Sequence, residues 1–268
     1  MTLIVNVANE QLVAELTSAL EASIKETVLG KKAAIAFSGG LDSGIVTVLC
    51  KKYADVTLYT VGVKDAYDVK ASEEMAKILG SRWRHLEISE GTLEEALPEM
   101  IRITGTVNPI TLSFEVPLYY VLKYSEEDTV LGGQGADELF AGYSKYIGLS
   151  RETLADAVRD DMAQLLNVTL MHERAVARHF DKTAAYPYLD ERVVSFVNRI
   201  GMSGVQEGEV RKPLLRDVAR SLGHPELAEK PKKSAQYGSG TMVAMRSMAK
   251  KRNMTVREMI LRMKDDLK

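Results

Sequence analysis

The stretch AIAFSGGLDSGIVTVL, Ala34 to Leu49, decides the fold. An apolar run of strand character meets Ser38-Gly39-Gly40-Leu41-Asp42-Ser43, and a second apolar run of helical length follows. A strand feeding a tight turn and then a helix is the opening of a parallel βα unit. Residues without a Cβ let such a turn approach a ligand closely. The free N–H groups and positive dipole end of the next helix favour an anion there. Ser38 and Ser43 add hydroxyl donors. Asp42 would repel a phosphate unless a cation stood between them, and magnesium, a hard oxygen-seeking ion, fits. The alternative is a plain Gly-rich turn with Asp42 or Ser43 as helix cap. The Gly-Lys-Ser/Thr ending of a Walker loop is absent, and no Gly-x-Gly-x-x-Gly follows the strand.

Outward from this turn the pattern repeats. Asn9 to Leu29 predicts a helix capped by Asn9 and ended by Gly30. Ala33 to Phe37 is the first strand and Gly44 to Lys52 its helix. Val56 to Val61 is the second strand, followed by a helix capped by Asp68 and running to Gly80. Trp83 to Ile88 is the third, followed by a helix that Thr92 and Glu95 would box and that runs to Ile103. A helix over Val116 to Lys123 leads to a fourth strand, Asp128 to Gly132. Beyond Gly142 the spacing predicts helices over Arg151–Leu166, Val168–Phe180, Glu191–Ile200, Val210–Leu222 and Thr241–Lys264, without a strand. The expected organisation is an α/β part, residues 1–148, and a mostly helical part, residues 149–268, that completes the site. Lys230-Pro-Lys-Lys233 and the run Gln236 to Gly240 read as a loop.

Composition narrows the classes. Thirty-five basic against 37 acidic residues give a net charge of −2, so nothing favours nucleic acid or an anionic membrane as partner. No apolar run nears the ~20 residues of a membrane span. The N-terminal residues lack a signal-peptide pattern, and a single cysteine excludes an intrachain disulfide and a cysteine metal cluster. These features predict a cytoplasmic chain.

A second Gly-rich turn, VLGGQGADELFAGYSKY (Val130 to Tyr146), follows the fourth strand and so faces the first across the strand ends. Asp137 and Glu138 supply carboxylates, and Asp42 with Asp137 would hold magnesium. The alternative is a Gly-rich loop with an acidic helix start.

Ser38 to Ser43 resembles the PP-loop of the ATP pyrophosphatases, which split ATP into AMP and pyrophosphate. Val130 to Tyr146 resembles the Ser-Gly-Glu-Gly-Ser-Asp-Glu motif of the asparagine synthetase family's synthetase domain. Ala185-Tyr-Pro-Tyr-Leu-Asp190, Gly208-Glu-Val-Arg-Lys-Pro-Leu-Leu-Arg216 and the basic loop at Lys230 are similar to further motifs of that family, in order. The resemblance implies an adenine nucleotide alpha hydrolase-like fold, a parallel sheet with helices on both faces. It implies that Ser38, Gly39, Gly40, Leu41, Asp42 and Ser43 hold pyrophosphate, with Asp42 and Asp137 as magnesium ligands. Ala36 and Val61 would meet the adenine, and Gly132, Gly133 and Gln134 would line the nucleotide. Lys212 would reach the phosphates, a role that also suits the charge gained at pentacovalent phosphorus; by spacing alone it reads as a surface residue of a helix.

Two departures stand out. The family's glutaminase half begins with a cysteine nucleophile; here Thr2 stands at position 2 and Cys50 lies inside a helix as a small hydrophobe. Ammonia would then come free or from a separate glutaminase subunit. Gln134 stands where the family has glutamate, and an amide cannot act as a base. Ala141 replaces a family glycine, a minor change. The expected activity is an AMP-forming ligase that adenylates aspartate with Mg-ATP and transfers ammonia. The alternatives are the same ATP chemistry on another carboxylate or amine, as in β-lactam-forming relatives, a tRNA-modifying PP-loop enzyme, and a non-catalytic nucleotide sensor. A homodimer is left open.

Overall fold

The computed structural model describes residues 2–201, 210–229 and 238–267. Five strands form one parallel sheet: β1 Lys32–Ala36, β2 Asp55–Gly62, β3 Arg82–Glu87, β4 Thr129–Leu131 and β5 Thr183–Ala185, in the order β3-β2-β1-β4-β5. The order reverses between β1 and β4. That switch point is where open α/β sheets leave a crevice at the carboxyl ends of the strands. Both Gly-rich turns leave the sheet there.

Alternate residues of β1 feed two different cores. Ala33, Ile35 and Phe37 pack with α1 (Thr2–Val28), α2 (Leu41–Cys50) and α9 (Glu191–Ile200). Ala34 packs on the other face with α4 (Glu90–Thr104), α5 (Pro109–Tyr124) and α8 (Leu170–His179), and Ala36 lies against that core. A strand buried on both faces reads as an unbroken apolar run, which is why the first strand was visible in the sequence. The expected doubly covered parallel sheet is the observed one.

Several boundaries move. The first helix starts at Thr2, so Asn9 caps nothing; its amide donates to Asp217 Oδ2 at 2.9 Å instead. Asp68 lies in the first turn of α3 (Tyr67–Ile78), whose N-cap is Ala66. Ser89, not Thr92, caps α4, and Thr92 closes the reciprocal box as the third helical residue. The Arg151–Leu166 and Val168–Phe180 helices are α7 (Arg151–Gln164) and α8, joined by a π-helical turn over Leu165–Thr169. Thr241–Lys264 is two helices, Thr241–Lys251 and Val256–Asp265. Asn253 breaks it at φ +53°, and the Thr255–Glu258 capping box starts the second helix.

The second half does hold a strand. β5 pairs in parallel with β4, Thr129 opposite Thr183 and Leu131 opposite Ala185. Its three residues carry no bulky side chain, so neither alternation nor apolar length marked it. It brings Tyr186, Tyr188 and Leu189 to the switch point. None of the described helices is long and apolar enough to cross a membrane.

Candidate active site

The turn after β1 is built by close approach. Gly39 has φ +67°, and a Cβ there would lie 2.6 Å from the Ser72 backbone on α3, so only glycine fits. Helix α2 begins at Leu41, earlier than the sequence suggested, with Gly40 as an N-cap that has no side chain to bond the helix's first N–H groups. Asp42 and Ser43 therefore stand in the first turn rather than capping it. Ser38 and Ser43 face each other, Oγ to Oγ 3.3 Å, and the Ser38 N–H donates to Ser43 Oγ at 3.3 Å. A helix N-terminus flanked by two hydroxyls has the chemistry to cradle an anion.

The turn after β4 comes to meet it. A Cβ on Gly133 would lie 3.2 Å from the Asp42 Cβ, so the loops touch at that pair. The two carboxylates of the second motif part company. Asp137 turns inward toward the first loop's Asp42. Glu138 is buried and accepts a hydrogen bond from the Tyr143 hydroxyl at 2.7 Å. Burial holds Glu138 above the usual carboxylate range.

Lys212 closes the arrangement. Its ammonium lies 2.7 Å from Asp42 Oδ1 and 2.7 Å from Asp137 Oδ1, with 2% of the lysine side chain exposed and about a fifth of each carboxylate. It is not a surface residue: it precedes the helix Pro213–Ser221 as its N-cap, at φ +53°. A non-glycine residue in that left-handed region costs roughly 1–2 kcal/mol, and burying an ammonium costs more. Burial pulls its pKa below the ordinary value, while Asp42 pushes the other way. The cost of these two features on one residue is answered by its two ion pairs. Gly142 makes room for it: a Cβ there would strike Asp137 Oδ1 and the Lys212 chain.

Residues 15–156 and 148–259 match the protein family described as asparagine synthase. The chain belongs to the asparagine synthase family. It is 29% identical, over 92% of its length, to a putative glutamine-hydrolyzing asparagine synthetase of Methanocaldococcus jannaschii, of which it covers 54%. To the glutamine-hydrolyzing asparagine synthetase B of Escherichia coli it is 26% identical over 84% of its length, covering 45% of that protein. The chain spans about half the length of these curated relatives. Among solved structures, a predicted subunit of tRNA methyltransferase from Methanocaldococcus jannaschii superposes with a TM-score of 0.39 at 16% identity, over 76% of this chain and 94% of that one.

In this asparagine synthase family chain the remaining motif residues support the two loops. The Tyr188 hydroxyl, fully buried, donates to the Asp42 carbonyl at 3.0 Å, and Asp190 caps α9 through the Arg192 N–H. Ala36 and Val61 sit at the carboxyl ends of β1 and β2, and beyond them the Val63 N–H donates to the Ser239 carbonyl at 2.9 Å. Ser239 belongs to the run Gln236 to Gly240 that was read as a loop, and its contact with the end of β2 was not foreseen; Gln236 and Tyr237, with Lys230–Lys233, Gly208 and Glu209, lie outside the described residues. Ala141, where the family motif has glycine, takes φ +49°, so the departure is not minor for the backbone. Cys50 is fully buried, its thiol pushed up to about 12 by burial, in keeping with a small hydrophobe. Gln134 donates its amide to Glu173 Oε1 at 2.8 Å. Glu173 and its neighbour Glu115 were invisible to sequence reasoning, because only the packing of α5 on α8 brings them together.

Asp42 and Asp137 converge on one cationic point, the donor set a magnesium ion asks for. Among the described residues no three acidic or histidine side chains gather as a metal site of their own. Two carboxylates, with phosphate oxygens to complete the shell, fit magnesium carried by a nucleotide.

Proposed function

We propose that the chain is an AMP-forming amide ligase: it adenylates the β-carboxylate of aspartate with Mg-ATP, releases pyrophosphate, and transfers the acyl group to ammonia. The observation that carries this reading is the meeting of Asp42, Asp137 and Lys212 at the switch point. A carboxylate oxygen attacks the α-phosphorus and the bond to pyrophosphate breaks. Amine nitrogen then attacks the acyl carbon, and AMP leaves with the carbon–oxygen electron pair.

The loop Ser38–Ser43 would hold the pyrophosphate, with the N–H groups of α2 and the Ser38 and Ser43 hydroxyls as donors. Ala36 and Val61 would line the adenine through backbone atoms, and Gly132 and Gly133 the nucleotide. Asp42 and Asp137 would hold magnesium, which supplies neutralising charge to the leaving pyrophosphate. Lys212 would give its ammonium to the phosphate oxygens, where extra negative charge gathers in the transition state; one such preplaced donor is worth about 2.7–4 kcal/mol. In this reading residues 1–148 are the ATP pyrophosphatase core, and residues 149–268 complete the site through Lys212 and Tyr188. The working place is the cytoplasm, with ammonia taken free or from a separate glutaminase subunit.

A second reading keeps the ATP chemistry and changes the carboxylate or the amine. The Gln134 amide bound to Glu173 favours it, since the family's glutamate is absent where it stands. Pyrophosphate release with Mg-ATP, ammonium and a panel of amino acids separates the two. Aspartate-dependent release with asparagine formed supports the first. Release with another carboxylate, and none with aspartate, sinks it in favour of the second.

A further inference from the structure

The motif Gly208 to Arg216 lends the proposed chemistry only Lys212. Its last residue, Arg216, has no part in that chemistry, yet its side chain lies where it can govern the lysine. Lys212 stands at φ +53° and ψ +50° with Pro213 after it. A proline pushes the residue before it toward extended backbone, and a residue with a Cβ avoids the left-handed region. The local sequence therefore opposes the backbone that aims the ammonium at Asp42 and Asp137. Contacts from outside the turn must hold it.

Arg216 supplies such contacts. It lies one turn into the helix Pro213–Ser221, and its N–H donates to the Lys212 carbonyl at 3.1 Å. Its half-buried side chain then folds back. Nε donates to the Arg211 carbonyl at 2.9 Å, gripping the peptide that enters Lys212, and Nη1 donates to the Ala228 carbonyl. Ala228 belongs to a separate helix, Pro225–Glu229. There Leu227, fully buried, lies so close to Gly44 of α2 that a Cβ on Gly44 would strike it. One guanidinium thus ties the lysine's turn to an element packed on the helix that carries Asp42. Among the described residues no carboxylate forms an ion pair with Arg216, and burial disfavours its charge. The fork is spent on two neutral carbonyls. A guanidinium holds its donors in a rigid plane, so gripping two carbonyls at once fixes one against the other, which a lysine ammonium cannot do.

We propose that Arg216 is a positioning residue: its grip on the Arg211 and Ala228 carbonyls holds the Lys212 turn in its left-handed form and so keeps the ammonium between Asp42 and Asp137. It touches no reacting atom and acts through Lys212. The reaction it serves rests on the amide-ligase reading, and the experiments keep the two apart.

The first is a double-mutant cycle read by carboxylate-dependent exchange of pyrophosphate into ATP. Arg216→Lys keeps the charge and loses the fork; Arg216→Met loses both. Each should lower the exchange kcat about tenfold or more, with KM for ATP within about twofold, since misplacing an aligned group by about 1 Å can cost about 10²-fold. Added to Lys212→Met, either change should cost less than about a further twofold, because the residue it serves is gone. An arginine with a merely structural role would cost the same factor in both backgrounds. The second readout needs no turnover: acetylation of the Lys212 amine by acetic anhydride, followed by peptide mass spectrometry. Lys212 is 2% exposed in the wild type. It should label about tenfold faster or more in Arg216→Met, at a temperature where circular dichroism shows both proteins folded. Equal losses in the two backgrounds, wild-type exchange in Arg216→Lys, or unchanged labelling of Lys212 overturns the proposal. If the wild type shows no exchange with any carboxylate, the ligase reading fails, and the labelling rates still decide whether Arg216 holds Lys212 in place.

Discussion

Two pairs of carboxylates lie on either side of the second Gly-rich loop, and they live under opposite rules. Asp42 and Asp137 share one buried ammonium at 2.7 Å each. Among the described residues no lysine or arginine pairs with Glu115 or Glu173, and burial lifts both toward neutrality. The residue types are nearly the same. What differs is whether a lysine was carried into the pocket with them. The first pair is matched by an ammonium, and burial favours the neutral form of the second.

The largest expected effect comes from removing the cation that separates the pairs. Lys212→Met should lower carboxylate-dependent pyrophosphate release by about 10²–10³-fold, the cost of losing one preplaced donor in a dry site. Steady-state release by the purified variant, with circular dichroism to check the fold, measures it. A variant within threefold of wild type would erase the distinction between the two pairs.

The pairs should also differ in how stability follows pH. Glu115 and Glu173 have folded pKa values of about 8 and about 7, above the 4.5 of an ordinary glutamate. The unfolded chain therefore binds fewer protons than the folded one, and stability falls as pH rises through that window. His172, held below 6.5 by burial, acts the other way, but below its unfolded pKa. Between pH 6.5 and 8 the wild type should lose on the order of 1–2 kcal/mol. Glu173→Gln should flatten that slope. Urea unfolding at several pH values checks it, and a slope unchanged in Glu173→Gln would contradict the assignment.

Gln134→Glu tests the boundary between the pairs. It restores the family's residue but replaces a donor to Glu173 with a third carboxylate. The variant should be less stable by about 1–3 kcal/mol at pH 8 and nearly normal at pH 5, because an unpartnered buried charge is the cost. Urea midpoints at the two pH values read this directly. The smallest effect belongs to Glu138→Gln. Its partner Tyr143 can donate to an amide oxygen as well, so stability should change by less than about 1 kcal/mol.

Much of this arrangement was readable from the chain and some was not. The first two strands and the two Gly-rich turns were visible, because strands buried on both faces are near-continuous apolar runs and glycines follow them; β3, RWRHLE, is half exposed and showed only as a short run between two helical patterns. The pairing of Asp42 with Asp137 followed from both turns leaving one sheet edge. Lys212 was placed there by family resemblance; its helical spacing pointed to the surface, and only the fold puts it at a strained cap. The break at Asn253 had a signal that was passed over, Thr255 with Glu258 three residues later. β5 and the Glu115–Glu173 pair had none. A three-residue strand carries no period, and acids on separate helices, α5 and α8, meet only through packing.

The central claim is that the switch-point site transfers an adenylyl group to a carboxylate. Exchange of labelled pyrophosphate into ATP, with magnesium and a panel of carboxylates but no amine, tests it most directly. The account predicts exchange that depends on one carboxylate and falls at least a hundredfold in Asp42→Asn. Exchange that needs no carboxylate, or that survives undiminished in Asp42→Asn, would contradict it.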